Sequence, residues 1–495
     1  MVVMNEKTKT VSDTVTWDDK GAWTAKGVWG RADSQGGGFS VDRWQKRLDD
    51  LRAAHHVPGA QLAVLVDGEV YELASGVLHR GTGVEVTTDS VFLSGSIAKV
   101  YTATLILQLV GEGLLDLDAR VVDVLPEFGT PDAEATRVIT VRQLLSHTGG
   151  LTNDFNRDTG RGDDCLEKFV AAAREVALDC PPGNALSYAG VGYVVLARIV
   201  EVLRGMTWDQ AIRDHLATPL GLERLMTLPE EALSFRVAMS HLGEPGAYPD
   251  PAPAWDLMPR SVGPAGRVIT SAGDMVRFAK MHLDGGVAAD GTRVLAADAV
   301  NAMQHHEIDT PDKWSVFSDA WGLGWTLYDW DGIRGYGHDG AAVGQYAYLR
   351  VVPEAGVVVA LMTNGGSARQ LYGDVYRELL AELAGVQMPE PFAPADPPIE
   401  VDITPFLGTY QREGVVITVS RGDDGNAHMR YAFVDDMAEL SPPLEMDLLP
   451  YSENIFAASG AGPSFAEGYM PIVFATLNDG TECCYAGMRA APRVA

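Results

Sequence analysis

Residues 91–118 read VFLSGSIAKVYTATLILQLVGEGLLDLD, and the fold follows from how this stretch must sit. From Ile97 to Leu109 the only charge is Lys99, and a helix apolar on every side is a buried one. Ser96 and Lys99 stand three apart, close to one helical turn, so their side chains share a face and the amine comes within reach of the hydroxyl. Ser-x-x-Lys alone is common, its ordinary explanation being an N-cap serine followed by a surface lysine. Here the lysine sits on a segment that has to be buried, and a buried, unpaired lysine needs a reason. Desolvation and the positive end of the helix dipole both disfavour an ammonium, so Lys99 is expected to have a lowered pKa and to act as base toward a serine otherwise unreactive.

Upstream, Ser40 reads as an N-cap before Trp44, Leu48 and Leu51 at helical spacing, and the helix ends near Val57-Pro58-Gly59. GAQLAVLV and EVYELAS then flank Asp67-Gly68, a hairpin signal. Far downstream QYAYLRVV and GVVVALMT are joined by Pro353-Glu354-Ala355-Gly356, with a helical pattern over 367–384. Strands from both ends are expected to share one antiparallel sheet. The chain between is mostly helical, with long Pro- and Gly-containing connections such as 243–266, which reads as an α-rich lobe beside a two-layer α/β (α+β) unit with helices on one sheet face. Five prolines in PEPFAPADPPIE mark a stiff linker at 389–400, after which GVVITVS, RGDDGN and MRYAFV announce a small all-β unit. The expected division is an extension at 1–39, a catalytic domain at 40–388, the linker, and a β domain at 401–495. Trp17, Trp23 and Trp29 in the extension fit either a docked arm or a mobile leader.

The chain has 495 residues and 46% hydrophobic content, enough for a large core and more than one folded unit. With 67 Asp plus Glu against 38 Lys plus Arg, its formal charge of −29 repels nucleic acid and anionic lipid, so neither is an expected partner. MVVMNEKTKTVSDTVTW holds no apolar run suited to a signal peptide or span, which predicts a cytoplasmic protein. Cys165 and Cys180 stand alone and Cys483 and Cys484 are adjacent, a pattern of structural thiols rather than zinc ligands. His55-His56 and His305-His306 lack metal-ligand spacing, and no Walker A or Gly-x-Ser-x-Gly pattern occurs, so no metal or cofactor is expected.

Across residues 42–385 the chain resembles the class C β-lactamases, D-alanyl-D-alanine peptidases and related esterases. The resemblance is carried in order by VPGAQLAVLVDGEVYELASG, SGSIAKVYTATLILQLVGEGLLDLD, VITVRQLLSHTGGL, SYAGVGYVVLARIVE, PLGLERL, PAGRVITSAGDMVRFAKM and GYGHDGAAVGQYAYLRVVPEAGVVVALMTN. It implies a β-lactamase/transpeptidase-like fold and a nucleophilic Ser96 beside Lys99. Its second element falls on Tyr188-Ala189-Gly190, making Tyr188 a general base and later acid, given a pKa held low by Lys99. Its third falls on His338-Asp339-Gly340, His338 assisting proton transfer or gripping substrate with a charge left open at neutral pH, and Gly340 letting substrate approach the strand edge. The amides of Ser96 and Ala341 would form the oxyanion hole, where one donor is worth roughly 3–4 kcal/mol. His147 would be structural, capping a helix end. FLGTYQREGVVITVS resembles the lipocalin-like barrel appended to several members.

Two departures bear on substrate. Gly190 replaces an Asn that usually contacts the lysine and the substrate's acyl amide, and Arg267 stands where the family usually has Gly-Gly, which predicts a narrowed pocket mouth. The expected function is an acyl-Ser96 hydrolase or acyltransferase acting on a small ester or amide, including D-amino acid derivatives. Water or an amine acceptor would release the acyl group, the latter in an intracellular transacylase or peptide cyclase; a catalytically silent ligand-binding scaffold is the remaining alternative.

Overall fold

Asp67 and Gly68 both take positive φ, 51° and 84°, the two-residue turn whose twist suits a hairpin. They join β1 (Gly59–Val66) to β2 (Glu69–His79), with Val66 opposite Glu69. The computed structural model describes residues 39–494 apart from 245, 424, 436, 437, 439–441, 461–464, 466 and 467, so Trp17, Trp23 and Trp29 lie outside the described residues. Phe39–Ala495 form one compact unit.

The central sheet continues with β3 (Thr326–Trp330), β4 (Ile333–Ala342), β5 (Gln345–Val352) and β6 (Val357–Thr363). Its order is Val84–Glu85, β2, β1, β6, β5, β4, β3, Ala320–Trp321, Ile308–Asp309, antiparallel throughout. Ala60 pairs with Thr363, so strands from the two ends of this region do lie side by side, as the apolar runs predict.

Helices cover both faces of the sheet, which corrects the two-layer expectation. On one face α1 (Val41–Ala54) contributes Trp44, Leu48 and Leu51 to a core shared with Leu62, Val64, Val359 and Leu361. The helix at 368–384 adds Leu371, Tyr372 and Leu379 to that core. On the other face Ala63, Leu65, Ala360 and Met362 join the helical lobe, built on α2 (Ala98–Gly111), α3 (Gly190–Arg204) and α4 (Ala272–Leu283). Because alternate residues of β1 face opposite cores, the whole strand is buried and, Gln61 apart, its sequence shows a continuous apolar run rather than an alternation. Ser40 is the N-cap of α1 but makes no side-chain cap bond, so the helix rests on its buried face. The region 385–403 has no helix or strand, and its Phe392 packs against Trp314 and Tyr451, with ring centroids 4.6 Å and 5.1 Å away.

The second sheet is a meander of eight antiparallel strands in consecutive order: β7 (Gly408–Arg412), β8 (Val415–Arg421), β9 (Ala427–Phe433), β10 (Leu444–Pro450), β11 (Ile455–Ser459), β12 (Tyr469–Thr476), β13 (Glu482–Ala486) and β14 (Arg489–Pro492). A bridge between Tyr410 and Arg493 brings the first strand to the last, so the meander forms a nearly closed up-and-down barrel around Ile417, Met429, Leu448, Phe456 and Ile472.

The barrel packs against the helical lobe. Val473, Leu477, Cys483, Tyr485 and Ala490 bury Cys180 and Ala185, and Met488 packs with Leu186, Tyr188 and Trp321. Asp154 and Arg412 form a buried ion pair across the same interface. Among the described residues no helix is long and apolar enough to cross a membrane.

Replacing Ala490, fully buried at this interface, by Asp would strand a charge among apolar groups, so Ala490→Asp is expected to destabilise by several kcal/mol in a thermal melt. An unchanged melting temperature would contradict this packing.

Candidate active site

The sequence puts Ser96 in a one-turn 3-10 helix, Gly95–Ile97, that runs straight into α2. Ser94 anchors this turn through its backbone N–H and side-chain hydroxyl, both donating to the carbonyl of Val268 at 2.9 and 2.8 Å. Every residue of α2 from Ala98 to Leu109 is buried, as the all-apolar pattern requires. Lys99 is carried into that interior and is 2% exposed. Its Nζ donates to Ser96 Oγ at 3.2 Å and to the carbonyl of Ala265 at 2.5 Å. Ala265 belongs to the short helix Gly263–Gly266, and Thr102 of α2 ties it down by donating to the carbonyl of Pro264.

Among the described residues no carboxylate pairs with Lys99, and burial pushes the amine well below its ordinary value, with the positive charge of Arg489 adding to the effect. The expected cause was burial together with the helix dipole; the second contributor here is a guanidinium supplied by the barrel.

Tyr188 lies two residues before α3, in a loop fixed on both sides. Its backbone N–H donates to the carbonyl of Met488 in the barrel at 2.9 Å. The phenol is buried over Lys99, whose Nζ is 4.7 Å from the ring centroid, and the guanidinium of Arg489 sits 5.4 Å from the same ring. The hydroxyl is near enough to Ser96 for that neighbour to lower its pKa, yet it makes no hydrogen bond of standard geometry. Burial dominates and pushes the phenol up to about 12. This corrects the expectation of a pKa held low by Lys99: a neutral amine has no charge with which to hold it down.

His338 on β4 is 2% exposed, and its Nδ1 donates to the carbonyl of Asp339 at 2.6 Å, leaving Nε2 as a lone-pair acceptor with no partner among the described residues. Burial and then the neighbouring Lys99 bring it down to about 3, so the charge left open by the sequence is zero at neutral pH. Asp339 points the other way, to the fully buried Arg350 at 2.5 Å. Gly337 makes room for that arginine: a Cβ there would come 2.9 Å from Arg350 Cδ.

The glycines pack the serine turn against β4. A Cβ on Gly340 would lie 1.9 Å from the carbonyl oxygen of Ser94 and 3.1 Å from the amide of Ser96. The partner that approaches Gly340 is therefore the serine turn, where the sequence suggested substrate. Gly95, at φ 55°, faces Ala341 so closely that a Cβ would be 2.4 Å from its amide nitrogen. The Ser96 turn and the Ala341 amide are thus brought edge to edge. Gly190 opens α3, buried beside the Tyr188 loop.

The expectation for Arg267 changes, and His147 gains a role. His147 caps the end of the helix Val141–Leu145 as expected, through its backbone at φ 58° with the Thr148 N–H donating to the Gln143 carbonyl at 2.8 Å, while its ring has a second task. Its Nδ1 accepts the Ala189 N–H at 3.0 Å, its carbonyl accepts the Ser187 N–H at 2.9 Å, and its ring packs 4.4 Å from that of Tyr188, so it clamps the tyrosine loop. Arg267 is buried and turned to Asp256 at 2.6 Å and to the carbonyl of Met258 at 2.7 Å, where it pins a loop. Arg489, Arg350 and the clamping role of His147 were missed from sequence; His147 in LLSHTGG was the one with a visible signal. Among the described residues no cluster of three or more His, Cys, Asp or Glu could hold a metal ion.

The β-lactamase family model matches residues 44–382. Penicillin-binding protein 4 of Amycolatopsis lactamdurans is 62% identical over 376 residues, covering 76% of this chain and 99% of that protein. The D-alanyl-D-alanine-carboxypeptidase/endopeptidase AmpH of Escherichia coli strain K12 is 24% identical and covers 70% of this chain and 90% of its own. Among solved structures, SurE has a TM-score of 0.74 at 29% identity and covers 92% of this chain and 99% of its own, so the likeness includes the barrel.

Two outcomes follow from the geometry. Gly340→Ala drives a methyl into the Ser94 carbonyl and should lower the rate of Ser96 modification by an aryl ester about a hundredfold, because the reacting groups are displaced; an unaltered rate would contradict the close approach. Arg489→Met removes the cation that disfavours protonated Lys99, so the Lys99 pKa rises and the acid limb of the pH–rate profile should move to higher pH. A limb that stays or moves the other way would contradict the electrostatic assignment.

Proposed function

As a member of the β-lactamase family this chain is a serine hydrolase, and we propose that it acts through an acyl ester on Ser96 formed from a small ester or amide bearing a D-amino acid residue. The observation that carries this reading is the 3.2 Å contact between a buried, unpaired Lys99 amine and the Ser96 hydroxyl.

In this reading neutral Lys99 takes the hydroxyl proton as Ser96 Oγ bonds to the substrate carbonyl carbon. The amides of Ser96 and Ala341 receive the oxyanion. The phenol of Tyr188, protonated through the neutral range, donates its proton to the departing oxygen or nitrogen and is reprotonated by the Lys99 ammonium. Reversal of these transfers activates water, or an amine, for attack on the acyl ester. His338 Nε2 accepts a hydrogen bond from the substrate. The catalytically silent scaffold is the weaker reading, since Lys99 touches Ser96 and lies under the Tyr188 ring, itself 6.4 Å from that of His338, with Lys99, Tyr188 and His338 all buried.

The D-amino acid preference draws on relatives: AmpH is a D-alanyl-D-alanine-carboxypeptidase/endopeptidase, and SurE has a structure with D-Leu. A bound free amino acid also carries an amine, which favours acyl transfer as the second reading.

A fluorescent phosphonate should label the wild type and spare Ser96→Ala, with the adduct on Ser96 by mass spectrometry; equal labelling of both would remove Ser96 as nucleophile. With a chromogenic D-acyl ester, added amine should divert product from acid to amide if transfer operates, and unchanged product ratios would leave hydrolysis alone.

A further inference from the structure

Gly190 has an ordinary negative-φ helical start, so it is not required there for a left-handed turn. The requirement is spatial. A Cβ at this position would meet Asn153 Oδ1 at 3.2 Å and the Asn153 carbonyl at 3.4 Å, with Ala265 Cβ at 3.8 Å. The volume a side chain at 190 would enter is therefore bordered by the Asn153 carboxamide and by the residue whose carbonyl holds Lys99 Nζ.

The carboxamide is oriented. Its Nδ2 donates to Asp154 Oδ1 at 3.0 Å, which leaves Oδ1 facing Gly190. Asp154 is in turn paired with Arg412 on β7, whose side chain is 2% exposed, and Arg412 donates to the Tyr431 hydroxyl at 2.7 Å. The Asn153 backbone is held as well, because the carbonyl of Thr152 accepts the Val191 N–H at 3.3 Å.

We infer that Asn153 is a positioning residue that stands in for the side chain absent at Gly190: its carboxamide sets the spacing between the Tyr188 loop and the Gly263–Gly266 turn that holds Lys99, and the barrel locks it there through Asp154 and Arg412. The inference rests on the acyl-Ser96 reading and adds to it a source, from a different loop, for an amide beside the reacting groups. It also gives the barrel a task at the site.

A double-mutant cycle tests this. The readout is the rate of Ser96 modification by the fluorescent phosphonate, with melting temperature measured in parallel. Asn153→Gly empties the space and Gly190→Asn crowds it, so each alone should slow modification about tenfold or more. Combined, they restore one carboxamide to the space, and the double variant should return to within about threefold of wild type. A double variant that loses the product of the two single losses, or an Asn153→Gly protein as fast as wild type, would overturn the inference. Should either single variant fail to fold, Arg412→Met keeps Asn153 in place chemically but unlocks it, and the same slowing is expected; a wild-type rate would overturn the link to the barrel. Wild-type protein that takes up no probe on Ser96 would defeat the acyl-enzyme reading itself, whereas a labelled wild type with multiplicative losses defeats only the role of Asn153.

Discussion

An amine shut away from water 3.2 Å from a hydroxyl is the constraint on which the remainder of the structure depends. Desolvation makes the charged form of Lys99 costly, and no carboxylate repays that cost. The lysine is held as a donor instead, to Ser96 Oγ and to the carbonyl of Ala265. Keeping it there requires an apolar sleeve around α2, an anchored serine turn, and a second turn at Gly263–Gly266 tied back by Thr102. The glycines serve the same end: Gly95 and Gly340 let the serine turn and β4 close to a distance that no side chain permits.

The barrel is part of this arrangement. Its last hairpin places Met488 against the Tyr188 loop and Arg489 over the phenol, and its first strand sends Arg412 to Asp154. Arg489 disfavours the ammonium of Lys99 and favours the phenolate of Tyr188, so it lowers the pKa of both groups. Burial of the phenol works against that and dominates, so Tyr188 keeps its proton through the neutral range while burial disfavours the protonated form of Lys99.

The contact between Ser96 and Lys99 and the sheet were legible in the sequence because each has a local signal. Ser96 and Lys99 sit three apart in an apolar run, Asp67-Gly68 announces its hairpin, and the Pro353–Gly356 turn joins two long β runs. Tyr188 and His338 came from ordered resemblance, since a lone tyrosine or histidine has no pattern of its own. The readings that failed depended on contacts between distant parts of the chain. The nearly continuous apolar runs of β1 and β6 mark burial on both faces but do not say which elements supply it, and Arg489, an arginine in a β hairpin, gives no hint that it reaches a tyrosine 301 positions earlier. Protonation was misread for Tyr188 and left open for His338 for the same reason: their burial is a property of the assembled fold.

The most direct test is titration of the Lys99 amine itself. With isotope-labelled lysine, the Lys99 signal assigned by comparison with Lys99→Arg should titrate well below the ordinary lysine value of 10.5 in the folded protein. A Lys99 that stays protonated up to that value would contradict the account, because the amine could not take the proton of Ser96.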